Sequence, residues 1–439
     1  MKSKIKLALS LLIIIISVPL TSIAASKDKK LTDEELMTLV QRQTFKYFWD
    51  FAHPESGLSH ERSNNPEGNV ATIGGSGFGV MAIIVGVERE FITREEGAEH
   101  LLKVANFLNS KHTDSYHGIW PHWMDGKTGK TIPFSCNDDG ADLVESAFMF
   151  EGLLAAHQYF DQDNPTESRL RSVINQMWRA AEWDWFTQGG QDVLYWHWSP
   201  NNGWTKNLQI KGHNECHIIY ILGASSPTYP IKESVYHKGW ANSNVFKNGR
   251  KYYDIELPLG TEYGGPLFFT HYSYMGLNPF GLKDRYASYD EQMMAHTLIN
   301  RAYCIDNPKG YKGYSEKCWG LTASDGNRGY SAHSPNNDRG VITPTAAISS
   351  IPYTPEYSLE AMRYFYEELG DDLWGEYGFK DAFNLSEDWF APSYLAIDQG
   401  PIIVMIENYR TGLIWDLFMS HPDVQNGLRR LGFTSPYLQ

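Results

Sequence analysis

Four carboxylates open an otherwise apolar stretch, FSCNDDGADLVESAFMFEGLL at residues 134–154: Asp138, Asp139, Asp142 and Glu145. Because the chain holds no Lys or Arg from Thr131 to Ser168, ion pairing along the helix is not what gathers them. A helix expected over 139–160 puts Asp138, Asp142 and Glu145 at i, i+4 and i+7, on one face across about two turns. Helix capping and the positive helix end explain one or two acids, at about 0.3 to 1 kcal/mol each. Four of them without local cations point to a cavity where mutual repulsion raises carboxyl pKa values, the condition for general acid and base chemistry.

A second carboxylate, Glu215, stands at the start of another apolar run, KGHNECHIIYILG at 211–223. Acids on two separate elements facing one cavity suit glycosidic bond cleavage, in which one protonates the leaving oxygen and another activates water or attacks the sugar. Two metal readings compete and are weaker. NDDGAD offers hard oxygen ligands for calcium, but Phe148 stands where a calcium loop ends in glutamate. His213 and His217 share the i,i+4 spacing of zinc ligands, but Asn214 follows the first histidine where a zincin has glutamate. No metal or cofactor is expected.

The loops before and after these runs are rich in tryptophan: Trp120, Trp123, Trp196, Trp198, Trp204 and Trp319, with His122 among them. Flat apolar faces with hydrogen-bonding edges suit sugar rings. Arg62, Trp123, Trp204, Trp319 and Glu407 are the expected substrate-binding residues, beside catalytic candidates Asp138, Asp142, Glu145 and Glu215.

Positioning these residues falls to a long series of helices. LTDEELMTLVQRQTFKYFWDFA at 31–52 has helical spacing with Thr32 as its cap, and further patterns follow near 76–89, 94–110, 166–186, 214–223, 231–240, 288–304, 343–350, 355–369, 399–419 and 422–431. Phe148, Met149, Leu153 and Leu154 surround their helix as an inner helix requires. Long Gly-, Asn- and aromatic-rich connections separate the helices, lengths that are unusual unless the loops work. The expectation is an all-α fold, an (α/α)6 barrel with long loops and short strands gathered at one end.

The first 25 residues read as a cleavable signal peptide: Lys2, Lys4 and Lys6 precede an apolar run from Leu7 to Leu20, then small residues at 22–24. That run is too short for a stable membrane anchor and no cysteine follows it closely, so a periplasmic or secreted protein is expected, with one domain over 26–439. The formal charge of −14 becomes −17 without the three leader lysines, which argues against nucleic acid and anionic polymers and for a neutral partner. Of the cysteines at 136, 216, 304 and 318, only Cys304 and Cys318 are close enough in sequence to suggest a disulfide, and free packed thiols are the equal alternative.

Four motifs carry a resemblance to a known family: YFWDFAHPESGLSHERS (47–63), DDGADLVESAFMFEGLL (138–154), HNECHIIYILGASSP (213–227) and YLAIDQGPIIVMIENYRTGLIWDLFM (394–419). Together they resemble the bacterial glycoamylase-like family, which includes the endo-β-1,2-glucanases of glycoside hydrolase family 144, from about Leu36 to Phe433. The resemblance implies an (α/α)6 barrel and inverting endo-hydrolysis of β-1,2-glucan to sophoro-oligosaccharides without metal, with Asp138, Asp142, Glu145 and Glu215 as the functional carboxylates. An α-glucan hydrolase of glucoamylase type, a non-catalytic glycan-binding protein and a polysaccharide lyase are the competing readings.

Overall fold

The computed structural model describes residues 30–65 and 68–438, so the leader expected at 1–25 lies outside the described residues. Helices dominate: α1 (Asp33–Trp49), α2 (Ile73–Glu88), α3 (Arg94–Leu108), α4 (Leu143–Tyr159), α5 (Pro165–Ala180), α6 (His217–Ser225), α7 (Glu233–Val235), α8 (Tyr289–Asp306), α9 (Pro344–Ile348), α10 (Pro355–Glu367), α11 (Gly370–Leu373), α12 (Ala396–Arg410), α13 (Leu413–Ser420) and α14 (Pro422–Arg430). Thr32 caps α1 as expected: its hydroxyl accepts the Glu35 N–H, and the Glu35 carboxylate accepts the Thr32 N–H. Thr93 and Glu96 repeat the same box at α3.

Two kinds of helix alternate. The α2, α4, α6 and α12 helices are buried almost all round, whereas α3, α5, α10 and α14 bury one stripe and face solvent with the other. Thus α2 is covered by α3, α4 by α5 and α6 by α14. The α2 and α4 backbones approach closely at glycines: a Cβ on Gly77 would lie 2.3 Å from the Phe148 carbonyl oxygen, and one on Gly152 would lie 2.2 Å from that of Gly77. Any larger side chain there would force the two helices apart.

Three helical expectations divide in the structure. The run at 399–419 breaks into α12 and α13 because Gly412 takes a left-handed φ of 76°. The run at 166–186 ends with α5 at Ala180 and resumes as a 3₁₀ turn at Trp183–Thr187. The run at 231–240 becomes α7 followed by a π-helical turn at Tyr236–Trp240. All four cysteines are free, and Cys304 and Cys318 are buried thiols rather than a disulfide.

Short antiparallel strands decorate the loops. β1 (Val70–Thr72), β2 (Trp123–Asp125) and β3 (Thr131–Ile132) form one sheet in that order, with Thr72 opposite Trp123 and Trp123 opposite Ile132. β4 (Ala141–Asp142) pairs with β5 (His197–Trp198), placing Asp142 opposite His197. β6 (Lys247–Tyr252) and β7 (Ile255–Leu259) make a bulged hairpin, and β8 (Ala323–Ser324) pairs with β9 (Ser331–Ala332) around the loop carrying Asp325 and Tyr330. These small sheets fix the loops that surround the site.

Candidate active site

The acidic cluster is split by the strand it enters. Because Ala141 and Asp142 are extended in β4, α4 starts only at Leu143 and Asp142 becomes its N-cap. The expected stripe of Asp138, Asp142 and Glu145 along one helix is therefore corrected: Asp138 precedes the helix, in a bridge with Ser135. Its carboxylate lies 3.3 Å from His197 Nε2 and 3.4 Å from Lys206 Nζ, a cation brought in from far along the chain. Asp139 is likewise tied down by Ser199 and Asn201.

Asp142 is fully used. Its Oδ1 accepts the N–H groups of Val144 and Glu145, each at 3.0 Å, while Oδ2 accepts from His122 Nδ1 at 3.0 Å and Trp196 Nε1 at 3.2 Å. A carboxylate with four donors is a positioning group, holding the start of α4 and the ring of His122. His122 stacks on Phe134 at 4.0 Å between ring centres, and its Nε2 sits 3.9 Å from Glu145 Oε1. Burial disfavours an imidazolium there, but Glu145, Asp142 and Asp138 outweigh it and raise His122 to about 9.

Glu145 occupies the first turn of α4, and its Oε2 accepts the Gly74 N–H at 3.0 Å from the start of α2. Burial pushes its carboxyl up to about 7; His122 and the Gly74 N–H pull it down, while Asp142 and Asp138 push it up. The contact demands glycine, since a Cβ on Gly74 would stand 2.4 Å from Glu145 Oε2. Gly74→Ala is expected to displace that carboxylate and lower kcat by about tenfold or more at little cost in KM, checked by steady-state kinetics.

Glu215 lies in the turn that leads into α6, two residues before the helix begins, and not on the helix itself. Ser273 clamps this turn by donating to the Glu215 carbonyl and accepting the Ile218 N–H at 3.0 Å. Burial pushes the Glu215 carboxyl up to about 7, opposed by its own N–H and reinforced by Glu145. His217, offered as a zinc ligand by spacing, bonds Tyr274 at Nδ1 and Tyr236 at Nε2, and so is a hydrogen-bonded wall residue.

Glu145 and Glu215 line one cavity of about 430 Å³. Trp123 and Phe134, in edge contact at 4.9 Å, line it together with Trp196, Phe268, Tyr272 and Tyr330. Arg62 lines the wall as a second cation beside the His122 imidazolium, gripped by Glu61 through Nε at 2.7 Å and by Asp325 at 3.1 Å. Behind it the buried Asp398, in the first turn of α12, is held well above the usual carboxylate range by burial and by Asp381, which burial itself raises to about 7. Asp381 Oδ2 accepts the Asp325 N–H at 2.7 Å, so this pair braces the Arg62 clamp from below.

Among the expected residues, then, Glu145, Glu215, Arg62 and Trp123 converge, with Asp142 directly behind them. Three of the expected substrate-binding residues do not. Trp319 is fully buried in a core shared with Tyr303, Ile348 and Phe365, and Trp204 packs among Trp185, Phe186 and Tyr195. Glu407 is fully buried in a bidentate pair with Arg89, at 2.6 and 2.7 Å, and also accepts from Gln41 and Thr411. Glu407→Ala is expected to strand Arg89 and destabilise the fold by about 3 kcal/mol while the folded fraction keeps its kcat/KM, a split that denaturant melts and kinetics resolve.

Gly74, Glu61 and the set of Asp325, Asp381 and Asp398 are not among the residues expected from sequence, and His122 is expected only as one of the loop aromatics. These act through contacts between distant segments, which spacing along one helix does not reveal. The isolated acids in LAIDQGP and FKDAF, sited in apolar surroundings, were the available signal.

A predominantly helical scaffold presenting a buried carboxyl, Glu145, and a half-buried one, Glu215, from separate elements to an aromatic-walled cavity defines a carbohydrate-type cleft. The Glycoamylase family model, described as "Putative glucoamylase", matches residues 207–422. A Bacteroides uniformis crystal structure of the same description is 81% identical and superposes with a TM-score of 0.93, covering 94% of this chain and 100% of that one. The endo-β-1,2-glucanase of Chitinophaga pinensis, solved with sophorotriose and glucose, is 54% identical with a TM-score of 0.90, covering 93% and 100%. The exo β-1,2-glucooligosaccharide sophorohydrolase of Parabacteroides distasonis is 46% identical over 422 residues, covering 91% of this chain; the chain spans 58% of that relative's length. The chain belongs to the glycoamylase-like family.

Proposed function

We propose that the chain is an exported glycoside hydrolase that cleaves β-1,2-glucan internally, releasing short sophoro-oligosaccharides with inversion, on a single (α/α)6-barrel domain over 26–439. The observation that carries the reading is the pair Glu145 and Glu215, both raised to about 7 by burial, on separate elements of one aromatic cavity. The names of the Chitinophaga and Parabacteroides relatives support the linkage, and the leader pattern at Lys2 to Leu20 supports export. Among the described residues no helix is long and apolar enough to cross a membrane.

Glu215 is the acid. Among the described residues no cation is paired with it, so desolvation keeps its proton until the leaving glycosidic oxygen takes it. Glu145 is the base. The Gly74 N–H and the His122 imidazolium hold a carboxylate in place at the first turn of α4, where it removes a proton from the attacking water. Trp123, Trp196 and Tyr272 supply faces for the sugar rings, and Arg62, prevented from swinging by Glu61 and Asp325, supplies donors for hydroxyls. Two carboxyls complete both proton transfers, so the scheme calls for no cofactor.

Incubating the mature protein with linkage-defined glucans, and following products by size and by anomeric NMR, tests the reading. A ladder of β-1,2-linked oligosaccharides whose first-formed ends are inverted is the expected result. Release from α-1,4-glucan alone would overturn the substrate, retained configuration the mechanism, and disaccharide as sole initial product the internal mode of cleavage. An unsaturated, ultraviolet-absorbing product would make the protein a lyase instead.

A further inference from the structure

We propose a second carbohydrate-binding site, outside the catalytic cavity, on the surface formed by Trp185 and Tyr229. Glu182, Asp184, Trp185, Gly189, Gly190 and Tyr229 line a separate open hollow of about 300 Å³. Both residues are 39% exposed, and they share this one hollow rather than standing singly on the surface.

Trp185 is held flat. The His117 ring stacks on it at 3.9 Å with 15° between planes, and His117 Nδ1 is bonded to Glu182 Oε2 at 2.8 Å. The Tyr229 loop is anchored as well, since Ser226 Oγ accepts the Tyr229 N–H at 3.0 Å and Thr228 donates to the Arg179 carbonyl at the end of α5. A platform fixed before binding loses little entropy when a ring docks on it. Gly189 and Gly190, at φ of 84° and 89°, have nothing within 4 Å of where a Cβ would sit, so the hollow's floor is bare backbone.

The chemistry selects the occupant. Aromatic faces take the CH side of a pyranose, and the exposed Asp184 carboxylate, whose side chain has neither hydrogen bond nor ion pair among the described residues, accepts hydroxyl protons. No cation lines the hollow, which excludes an anionic ligand, and the overall charge of −14 agrees. The occupant is a neutral glucan chain, and naming it β-1,2-glucan rests on the function proposed above. The hollow also adjoins a segment that reaches the catalytic cavity: Trp185 lies 6.4 Å from Trp198 between ring centres, and Trp198 is two residues from the cavity residue Trp196. One polymer engaging both sites gains by effective concentration, so the second site serves long substrates and leaves short ones indifferent.

Affinity electrophoresis of the full chain through gels cast with β-1,2-glucan, α-1,4-glucan or a neutral β-1,4-glucan tests this, with Glu215→Gln as the background so that the polymer survives. Trp185→Ala and Tyr229→Ala are expected to weaken retardation by β-1,2-glucan by about fivefold or more. In the active protein the same substitutions raise KM for long polymer and leave kcat/KM on short oligosaccharides unchanged. Unchanged retardation in both folded variants would overturn the site, as would no retardation of the parent by any of the polymers. Retardation by a different glucan that Trp185→Ala abolishes would uphold the site and overturn the β-1,2 assignment. A dimer in sedimentation that Trp185→Ala dissolves would assign the surface to self-association and overturn the proposal.

Discussion

Glu215→Gln is expected to lower kcat on polymeric β-glucan by a factor of about 10² to 10⁴ while binding is kept, which is the range that a positioned general acid contributes. The side chain keeps its size and loses only its proton. If Glu215 protonates the leaving oxygen, a substrate whose leaving group needs no proton, such as an activated aryl glycoside, recovers most of the lost rate. A uniform loss on both kinds of substrate would remove the acid role and leave Glu215 a binding residue. A variant with full activity would remove it from the site altogether.

The same substitution carries a signature in stability. An unfolded glutamate ionises near 4.3, whereas the desolvated Glu215 keeps its proton to about 7. Between those values the folded chain binds more protons than the unfolded one, so the wild type loses stability as pH rises through that window, by about 3 to 4 kcal/mol as an order of magnitude. Above the folded value the loss is complete. Glutamine has no charge to bury, so the variant and the wild type are expected to melt together near pH 4 and the variant to be the more stable by pH 8. Thermal melts at the two pH values check it; a wild type that is equally stable relative to the variant at both would mean that Glu215 ionises freely in the folded protein. An acid retained at a stability cost fits a group kept for chemistry.

Most helices were legible because their signals are local. Thr32 and Glu35, three apart, specify the start of α1 without help, and the Pro residues opening α5, α10 and α14 do the same. What escaped was set by pairing between distant segments. Nothing near Asp142 in sequence indicates that β5 will hold Ala141 and Asp142 extended and delay α4 to Leu143, yet that pairing takes Asp138 off the helix. The absence of local cations was a true observation with an incomplete consequence, since Lys206 reaches Asp138 from the connection between α5 and α6. Tryptophan counts misled for a related reason. Trp319 and Trp123 look alike as residues in aromatic loops, and only the fold buries one and turns the other to the cavity.

Glu145→Gln is expected to be as damaging to turnover as the loss of Glu215, and His122 distinguishes its role as base from mere proximity. In the active form Glu145 must be ionised and Glu215 protonated, yet both sit near 7. The pH profile of kcat/KM is therefore a narrow bell about neutrality, its acid limb belonging to Glu145 and its alkaline limb to Glu215. The His122 imidazolium, raised to about 9, stabilises the Glu145 carboxylate across that whole range. Removing it with His122→Asn raises the value for Glu145, so the acid limb moves to higher pH, by about one unit or more. The alkaline limb stays in place. The bell narrows and its peak falls by about tenfold, while KM changes little because the imidazole acts through Glu145. Asp142→Asn removes a charge that itself pushes Glu145 up while Glu145 still holds the imidazolium protonated, so the same limb moves the other way, to lower pH. A shift of the alkaline limb instead would exchange the acid and base assignments, and loss of activity with both limbs unmoved would reduce His122 to a packing residue against Phe134.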